Sequence, residues 1–281
     1  SSDLKKFFPP VAWVMAFIVM HLAEKTFSLT SIVKDFLTGL WELCLLRMSG
    51  LAGYRANVVT WYISAMILAM LVLYPLLIKY KDTFFVIAAP CISIFLLGYM
   101  YQVFGNLNGG TAWEGFYYRG LMRAFADLSL GCIAWKLCQA IKKYEYTRLA
   151  RTIFSIIELG GYLFCLFLMS GRVSPDMSFV LLMVFFICVP ITFSHAAVTA
   201  GLFDNRLCYF LGKASFSLYI GHIFWVKSLE ALFPSFTLKQ RLAVLFACLV
   251  LTVITIMKLS DYIRKTAPSA ISSVKKLMIR Q

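Results

Sequence analysis

Charge is scarce in this chain. Of 281 residues only 14% are Asp, Glu, Lys or Arg, against about 25% in an ordinary soluble domain, while 61% are hydrophobic and the mean hydropathy is +0.80. A water-soluble domain is excluded, and so are a disordered chain and a coiled coil, both of which need polar surface that is missing here. Acidic residues are scarcer still, 13 against 27 Lys and Arg. In a soluble protein the resulting charge of +14 would raise the question of nucleic acid. In a membrane protein it has another source, the Lys and Arg that collect in cytoplasmic loops, so no nucleic-acid partner is expected. Cysteines at CxxC spacing are also lacking. Six of the eight (Cys91, Cys132, Cys138, Cys165, Cys188, Cys248) fall within apolar runs and read as small packing residues, which removes a disulfide scaffold. There are three histidines and none of the familiar metal-ligand spacings, so no metal is expected. No repeat of fixed period is visible.

What is present is a series of long apolar runs. A spanning helix needs about 20 mostly apolar residues, and eight runs qualify: Phe7 to Ala23, Val58 to Ile78, Phe84 to Phe104, Gly120 to Ile141, Thr152 to Ser170, Ser178 to Thr199, Ala214 to Phe233 and Leu238 to Met257. The expected fold is therefore all-α, a polytopic transmembrane helix bundle of about eight spans, with residues 1–281 forming one domain. An even number of spans puts both termini on one side. Placing the tail with Arg264, Lys265, Lys275, Lys276 and Arg280 in the cytoplasm gives the inner segments sixteen basic residues and the outer segments eight, which favours both termini inside. The long outer loop holds Ser31 to Met48, where Ile32, Val33, Phe36, Leu37, Leu40, Trp41 and Cys44 recur at helical spacing opposite Lys34, Asp35, Thr38 and Glu42. This reads as an amphipathic helix on the outer leaflet, either a floor for an extracytoplasmic substrate or a lid packed on the bundle.

Ionisable groups inside the hydrocarbon region are costly and turn inward, which marks them as functional candidates. Arg119, Arg123 and Asp127 are spaced i, i+4, i+8 and share a helix face. They are read either as a structural ion pair or as the charged wall of a substrate cavity. Ser215, Tyr219 and His222 share a second face at i, i+4, i+7, expected to turn to the bundle interior. There the imidazole would be either a satisfied packing residue or a ring oriented by its neighbours, with one nitrogen left for a proton or ligand. Glu158, His195 and His21 have no partner at helical spacing and read first as structural.

The run Leu211-Gly212-Lys213-Ala214-Ser215-Phe216-Ser217-Leu218-Tyr219-Ile220-Gly221-His222 closely resembles the C-terminal signature of the acyltransferase 3 family, bacterial integral-membrane enzymes that acylate envelope glycans. There the pattern is approximately L-G-[KR]-x-S-[YF]-[SP]-[LI]-Y-[LI]-x-H. Lys5-Lys6-Phe7-Phe8-Pro9-Pro10 resembles the basic, proline-bearing start of the family's third span. Thr60-Trp61-Tyr62 through Tyr74-Pro75-Leu76-Leu77 resembles its tryptophan-led fourth span, and Arg123 through Gly131 a later one. The family's first-span Arg and His, ten residues apart, and the F-F-x-[LIV]-S-G-[FY] run of its second span have no counterpart here. Met66 stands where many members carry Glu. The resemblance thus implies a member lacking the first two spans, inactive on its own.

By that resemblance, the activity is acyl transfer, commonly of acetyl, from cytoplasmic acyl-CoA to a hydroxyl of an extracytoplasmic glycan, in the inner or cytoplasmic membrane of a bacterium. Acyl-CoA enters as the donor substrate, and no bound cofactor is implied. The family's absent Arg and His would be the first choice for base and oxyanion donor; His222 and Arg123 are second-line catalytic candidates that shape the site or orient its ligands, and Trp61, Tyr219, Ser215 and Asp127 the substrate-binding ones. Lys142, Lys143, Arg148 and Arg151, the densest inner basic cluster, would hold the CoA phosphates through charge-assisted hydrogen bonds, although the cytoplasmic bias of basic residues accounts for them equally. The rival readings are a transporter or flippase of a lipid-linked glycan, which also needs intramembrane polar groups, and a partner subunit without chemistry.

Overall fold

The computed structural model describes residues 29–50, 59–170, 177–255 and 258. The expected first span, Phe7 to Ala23, and the C-terminal tail beyond residue 258 lie outside them. Among the described residues the protein is helical, with no strand beyond an isolated bridge between Trp113 and Tyr118. The helices are α1 (Leu29–Leu43), α2 (Thr60–Lys79), α3 (Lys81–Phe104), α4 (Arg119–Ile141), α5 (Arg148–Met169), α6 (Ser178–Ser194), α7 (Ala200–Phe203), α8 (Arg206–Leu232) and α9 (Leu238–Thr255). Five of them, α2, α3, α4, α5 and α9, are long and apolar enough to cross a membrane. At about 1.5 Å per residue, the 20 residues of α2 reach about 30 Å. The protein is therefore an all-α membrane protein.

Two of the expected spans and the expected amphipathic helix differ from the limits that the sequence predicts. Helix α6, expected to run to Thr199, stops after Ser194 and has 17 residues. Pro190 cannot donate to the preceding turn, and His195 takes the left-handed conformation at φ 58° to close the helix. Helix α8 starts at Arg206, well before Ala214, because the Asn205 side chain accepts from the Cys208 amide at 2.9 Å and caps the first turn. It has 27 residues but is not apolar enough to count among the five. Lys213, Ser215, Tyr219, His222, Lys227 and Glu230 dilute its hydrophobic character. Helix α1 ends at Leu43, where Leu45 turns left-handed at φ 60° and a single 3-10 turn, Arg47–Ser49, follows. Its sides are also exchanged relative to a lid. Val33, Phe36, Leu37 and Trp41 are exposed, whereas Glu42 is buried and accepts from Arg47 Nη1 and Thr60 Oγ1, each at 2.8 Å.

The chain divides into two compact units by its packing. One contains the described parts of Ser1–Arg47, Ala52–Thr60 and Tyr209–Gln281, and the other Met48–Leu51 and Trp61–Cys208. In the second unit α4 is central. It packs between α3 and α6, and α6 packs in turn on α5. Small residues on α4 allow the close approach: Ala124 meets Ala65 and Ala69 of α2, and Ala126 meets Leu97 and Met100 of α3. In α3 a π turn, Phe84–Ala88, precedes Pro90 and absorbs the backbone bond that proline cannot make.

Loop contacts orient the helices of this unit. The Leu107 amide, just after α3, donates to Ser178 Oγ at the start of α6 at 2.9 Å, and the Met48 amide donates to Ser64 Oγ near the start of α2 at 2.9 Å. The starts of α2, α4 and α6 therefore gather at one end. At the other, Arg151 Nη2 donates to the Ala197 carbonyl at 3.4 Å, joining the start of α5 to the loop after α6. Lys79, Lys81, Lys142, Lys143, Arg148 and Arg151 lie at this second end, whereas the hairpin at the first carries Arg119 paired with Glu114.

Candidate functional site

The sequence-level face of α4 divides in two. Arg119 turns back to the hairpin before its own helix, donating from Nε and Nη2 to Glu114 Oε1 at 3.0 and 2.5 Å, and its guanidinium lies 3.6 Å from the centre of the Phe104 ring. Arg123 stays with Asp127. Its Nε donates to Asp127 Oδ2 at 2.6 Å, and its Nη1 donates to the Leu107 carbonyl. The two side chains are 19% and 23% exposed, so the pair is largely desolvated. The other carboxylate oxygen, Asp127 Oδ1, is buried and has no hydrogen-bond partner among the described residues.

Trp61 joins this pair through two glycines. A Cβ on Gly120 would lie 2.6 Å from Trp61 Cζ3 and against the Gly110 carbonyl, and one on Gly109 would lie 3.4 Å from Trp61 Cη2 and 3.2 Å from Arg123 Cβ. The indole therefore lies on bare backbone beside Arg123, where the loop after α3 crosses the start of α4. Trp61, Arg123 and Asp127 form one constellation, an indole face and an ion pair with an unused acceptor.

Ser215, Tyr219 and His222 belong to the other unit. Ser215 departs from the expected stripe: it is exposed, and its hydroxyl donates to the Gly212 carbonyl at 2.8 Å. Tyr219 and His222 are half-buried and adjacent, with ring centroids 6.0 Å apart. The Tyr219 hydroxyl donates to the Val59 carbonyl at 3.1 Å. His222 Nδ1 lies 2.6 Å from the Tyr219 carbonyl. A carbonyl only accepts, so Nδ1 carries the proton, and the Nε2 lone pair of the neutral ring is left as a base or ligand. Helix α9 supports this part of α8: Trp225 Nε1 donates to Thr252 Oγ1 at 2.8 Å, and Gly221 is buried close to the Thr252 methyl.

The basic candidates Lys142, Lys143 and Arg148 are exposed and gathered by the turn between α4 and α5, which Thr147 closes by accepting from the Ala150 amide at 3.3 Å. Arg151, one turn further on, reaches the Ala197 carbonyl. An exposed basic turn of this kind can bind phosphates by charge.

No family model, no curated protein and no solved structure matches the chain.

A polar centre that helical spacing does not reveal surrounds Glu158. Its side chain is fully buried between α5 and the loop after α6, where Oε2 accepts from Thr199 Oγ1 and Oε1 has no hydrogen-bond partner among the described residues. Ser155, one turn earlier, accepts from the Val198 and Thr199 amides at 2.9 and 3.3 Å. The partners are some 40 residues apart in sequence, so the only signal was a lone carboxylate in an apolar run. His195 is the exposed, left-handed terminus of α6, a structural position, and His21 lies outside the described residues. Among the described residues, no three His, Cys, Asp or Glu side chains gather where they could hold a metal ion.

Proposed function

We propose that the chain is the membrane-embedded body of an O-acyltransferase of the acyltransferase 3 type, which moves an acyl group, commonly acetyl, from acyl-CoA in the bacterial cytoplasm to a hydroxyl of an extracytoplasmic envelope glycan. The observation that carries this reading is the 2.6 Å approach of His222 Nδ1 to the Tyr219 carbonyl, within the run of residues that most resembles that family. It supports His222 Nε2 as the base of this reading. In the proposed reaction Nε2 takes the proton of the acceptor hydroxyl while its oxygen attacks the thioester carbonyl. Collapse of the tetrahedral intermediate breaks the carbon–sulfur bond, and the proton returns from His222 to the departing CoA thiolate.

The remaining residues divide by task. The turn with Lys142, Lys143 and Arg148 receives the CoA phosphates, and Arg151 flanks it. That end of its unit carries most of the basic side chains, which supports a cytoplasmic assignment. Trp61 offers a face for a sugar ring, Asp127 Oδ1 an acceptor for its hydroxyls, and Arg123 a donor that holds the carboxylate in place. In this scheme eight spans with both termini cytoplasmic put the hairpin before α4 outside.

The test uses bacterial membranes carrying the chain, with and without the two leading spans typical of the family, supplied with radiolabelled acetyl-CoA. The chain without the leading spans should transfer no label, and with them present His222→Ala and His222→Gln should lower label transfer to glycan by about 100-fold or more, with unchanged protein level. Gln keeps a hydrogen-bonding side chain but cannot take the proton. Transfer by His222→Gln at the unaltered rate would overturn the base assignment, and glycan export without any acyl transfer would favour a transporter.

A further inference from the structure

A pocket of about 300 Å³ lies in the second unit, between α2 and α4. Its rim is built by the hairpin before α4, in which the Glu114 amide donates to the Tyr117 carbonyl at 2.8 Å and Gly115 makes the tip at φ 85°. Trp113 is fixed edge-on to Tyr118 at 4.8 Å between centroids and lies over Gly50, while Phe116 and Tyr117 meet edge-to-face at 4.7 Å. The wall below is Leu68 and Val72 of α2 and Leu121 and Phe125 of α4. Leu121 and Phe125 are on a different face of α4 from Arg123 and Asp127, so this pocket is separate from the charged constellation.

The polar side-chain groups of the lining are the Ser49 hydroxyl, the Tyr117 phenol and the Trp113 indole N–H, all at the rim. A hydrogen bond to Tyr99, followed by burial, pushes Tyr117 up to about 12, so it stays a neutral donor. The wall is wholly apolar. Val72 is 51% exposed on a helix long and apolar enough to span a bilayer, and Phe116 at the rim is 84% exposed. The pocket therefore continues the lipid-facing surface and has hydrogen-bonding groups at one end only. A sugar ring in it would leave several hydroxyls without hydrogen-bond partners against Leu68, Val72, Leu121 and Phe125. A hydrocarbon chain loses nothing there.

We infer that this pocket seats one apolar chain of a bilayer lipid, with the lipid's polar head at the hairpin rim beside Ser49 and Tyr117. The inference is independent of acyl transfer. The experiment reconstitutes the full chain in phosphatidylcholine vesicles containing a few per cent of phosphatidylcholine with a diazirine on one acyl chain, then irradiates and maps the crosslinked residues. Phe95 of α3, 72% exposed, reports ordinary contact with bulk lipid and correct folding. Crosslinks at Leu68, Val72, Leu121 or Phe125 should exceed those at Phe95 at least tenfold. Val72→Trp, which fills the pocket, and Phe116→Ala, which opens its rim, should each reduce them severalfold while leaving Phe95 labelled as before. Pocket labelling no higher than that of Phe95, or insensitive to both substitutions, would overturn the inference. Protection of the pocket by a soluble oligosaccharide would also overturn it, in favour of a sugar groove.

Discussion

At the residue scale the energetic weight falls on polar groups that the surrounding lipid cannot satisfy. Arg123 is held by Asp127 and by the Leu107 carbonyl. Removing it strands a desolvated carboxylate and a backbone acceptor together. Arg123→Met should therefore destabilise by an amount near the lower end of about 3–5 kcal/mol, since the pair keeps some exposure. Adding Asp127→Leu to Arg123→Met should restore most of that loss, as read by chemical denaturation of both variants in detergent; a doubly substituted protein no more stable than Arg123→Met alone would refute the pairing. Gly120 has a different role. A methyl group there meets the Trp61 ring at 2.6 Å and the Gly110 backbone, and the backbone cannot give way. Gly120→Ala should cost about 1–3 kcal/mol by overpacking and should shift Trp61 fluorescence, whereas Gly98→Ala, with nothing within 4 Å of its Cβ, should leave both unchanged. Part of this site could be read from spacing alone, because i, i+4 places Arg123 against Asp127 in any helix. The same rule placed Arg119 with them, but a hairpin brings Glu114 back to Arg119. No helical periodicity anticipates a contact with a residue outside the helix. Trp61 was visible as a tryptophan at the head of a span, but its seat on Gly109 and Gly120 depends on a loop crossing.

At the element scale the spans with uninterrupted apolar character were legible almost to the residue. Helices α2, α3 and α4 begin and end within three residues of the expected limits, because their apolar runs carry the helix through Pro75 and Pro90 and stop where polar loop residues begin. The misplaced ends are those set by specific caps and breaks: Asn205 before α8, Leu45 after α1, and the Pro190 to His195 region of α6. After that break the chain folds onto Ser155, which accepts two amides from the loop. Ser155→Ala leaves those donors unmatched in a buried position and should cost about 1–3 kcal/mol. Amide exchange by mass spectrometry should rise at residues 196–199 and stay unchanged in the hairpin at 112–119. Equal protection of both segments in the variant would show that the loop does not depend on Ser155. The exposed apolar side of α1 follows the same logic at larger size. Its hydrophobic stripe was evident from periodicity, but the burial of Glu42 required Arg47 and Thr60, which lie outside the helix.

At the scale of the whole molecule, the apolar helices require a bilayer and the basic residues of the second unit collect at one end. That asymmetry underlies the proposed direction of transfer, from a cytoplasmic donor to an outer acceptor. A cysteine placed at residue 145 should react with an impermeant maleimide only from the cytoplasmic side, and one placed at residue 115 only from outside. The most direct measurement of the central claim is sided acyl transfer. Inside-out and right-side-out membrane vesicles carrying the chain, together with the two leading spans typical of the family, are each given radiolabelled acetyl-CoA, and base-labile label in the envelope glycan is counted. The account predicts label in the glycan of inside-out vesicles, none in intact right-side-out vesicles, and loss of the signal with His222→Gln. Equal labelling in both orientations, or transfer that ignores His222, would contradict it.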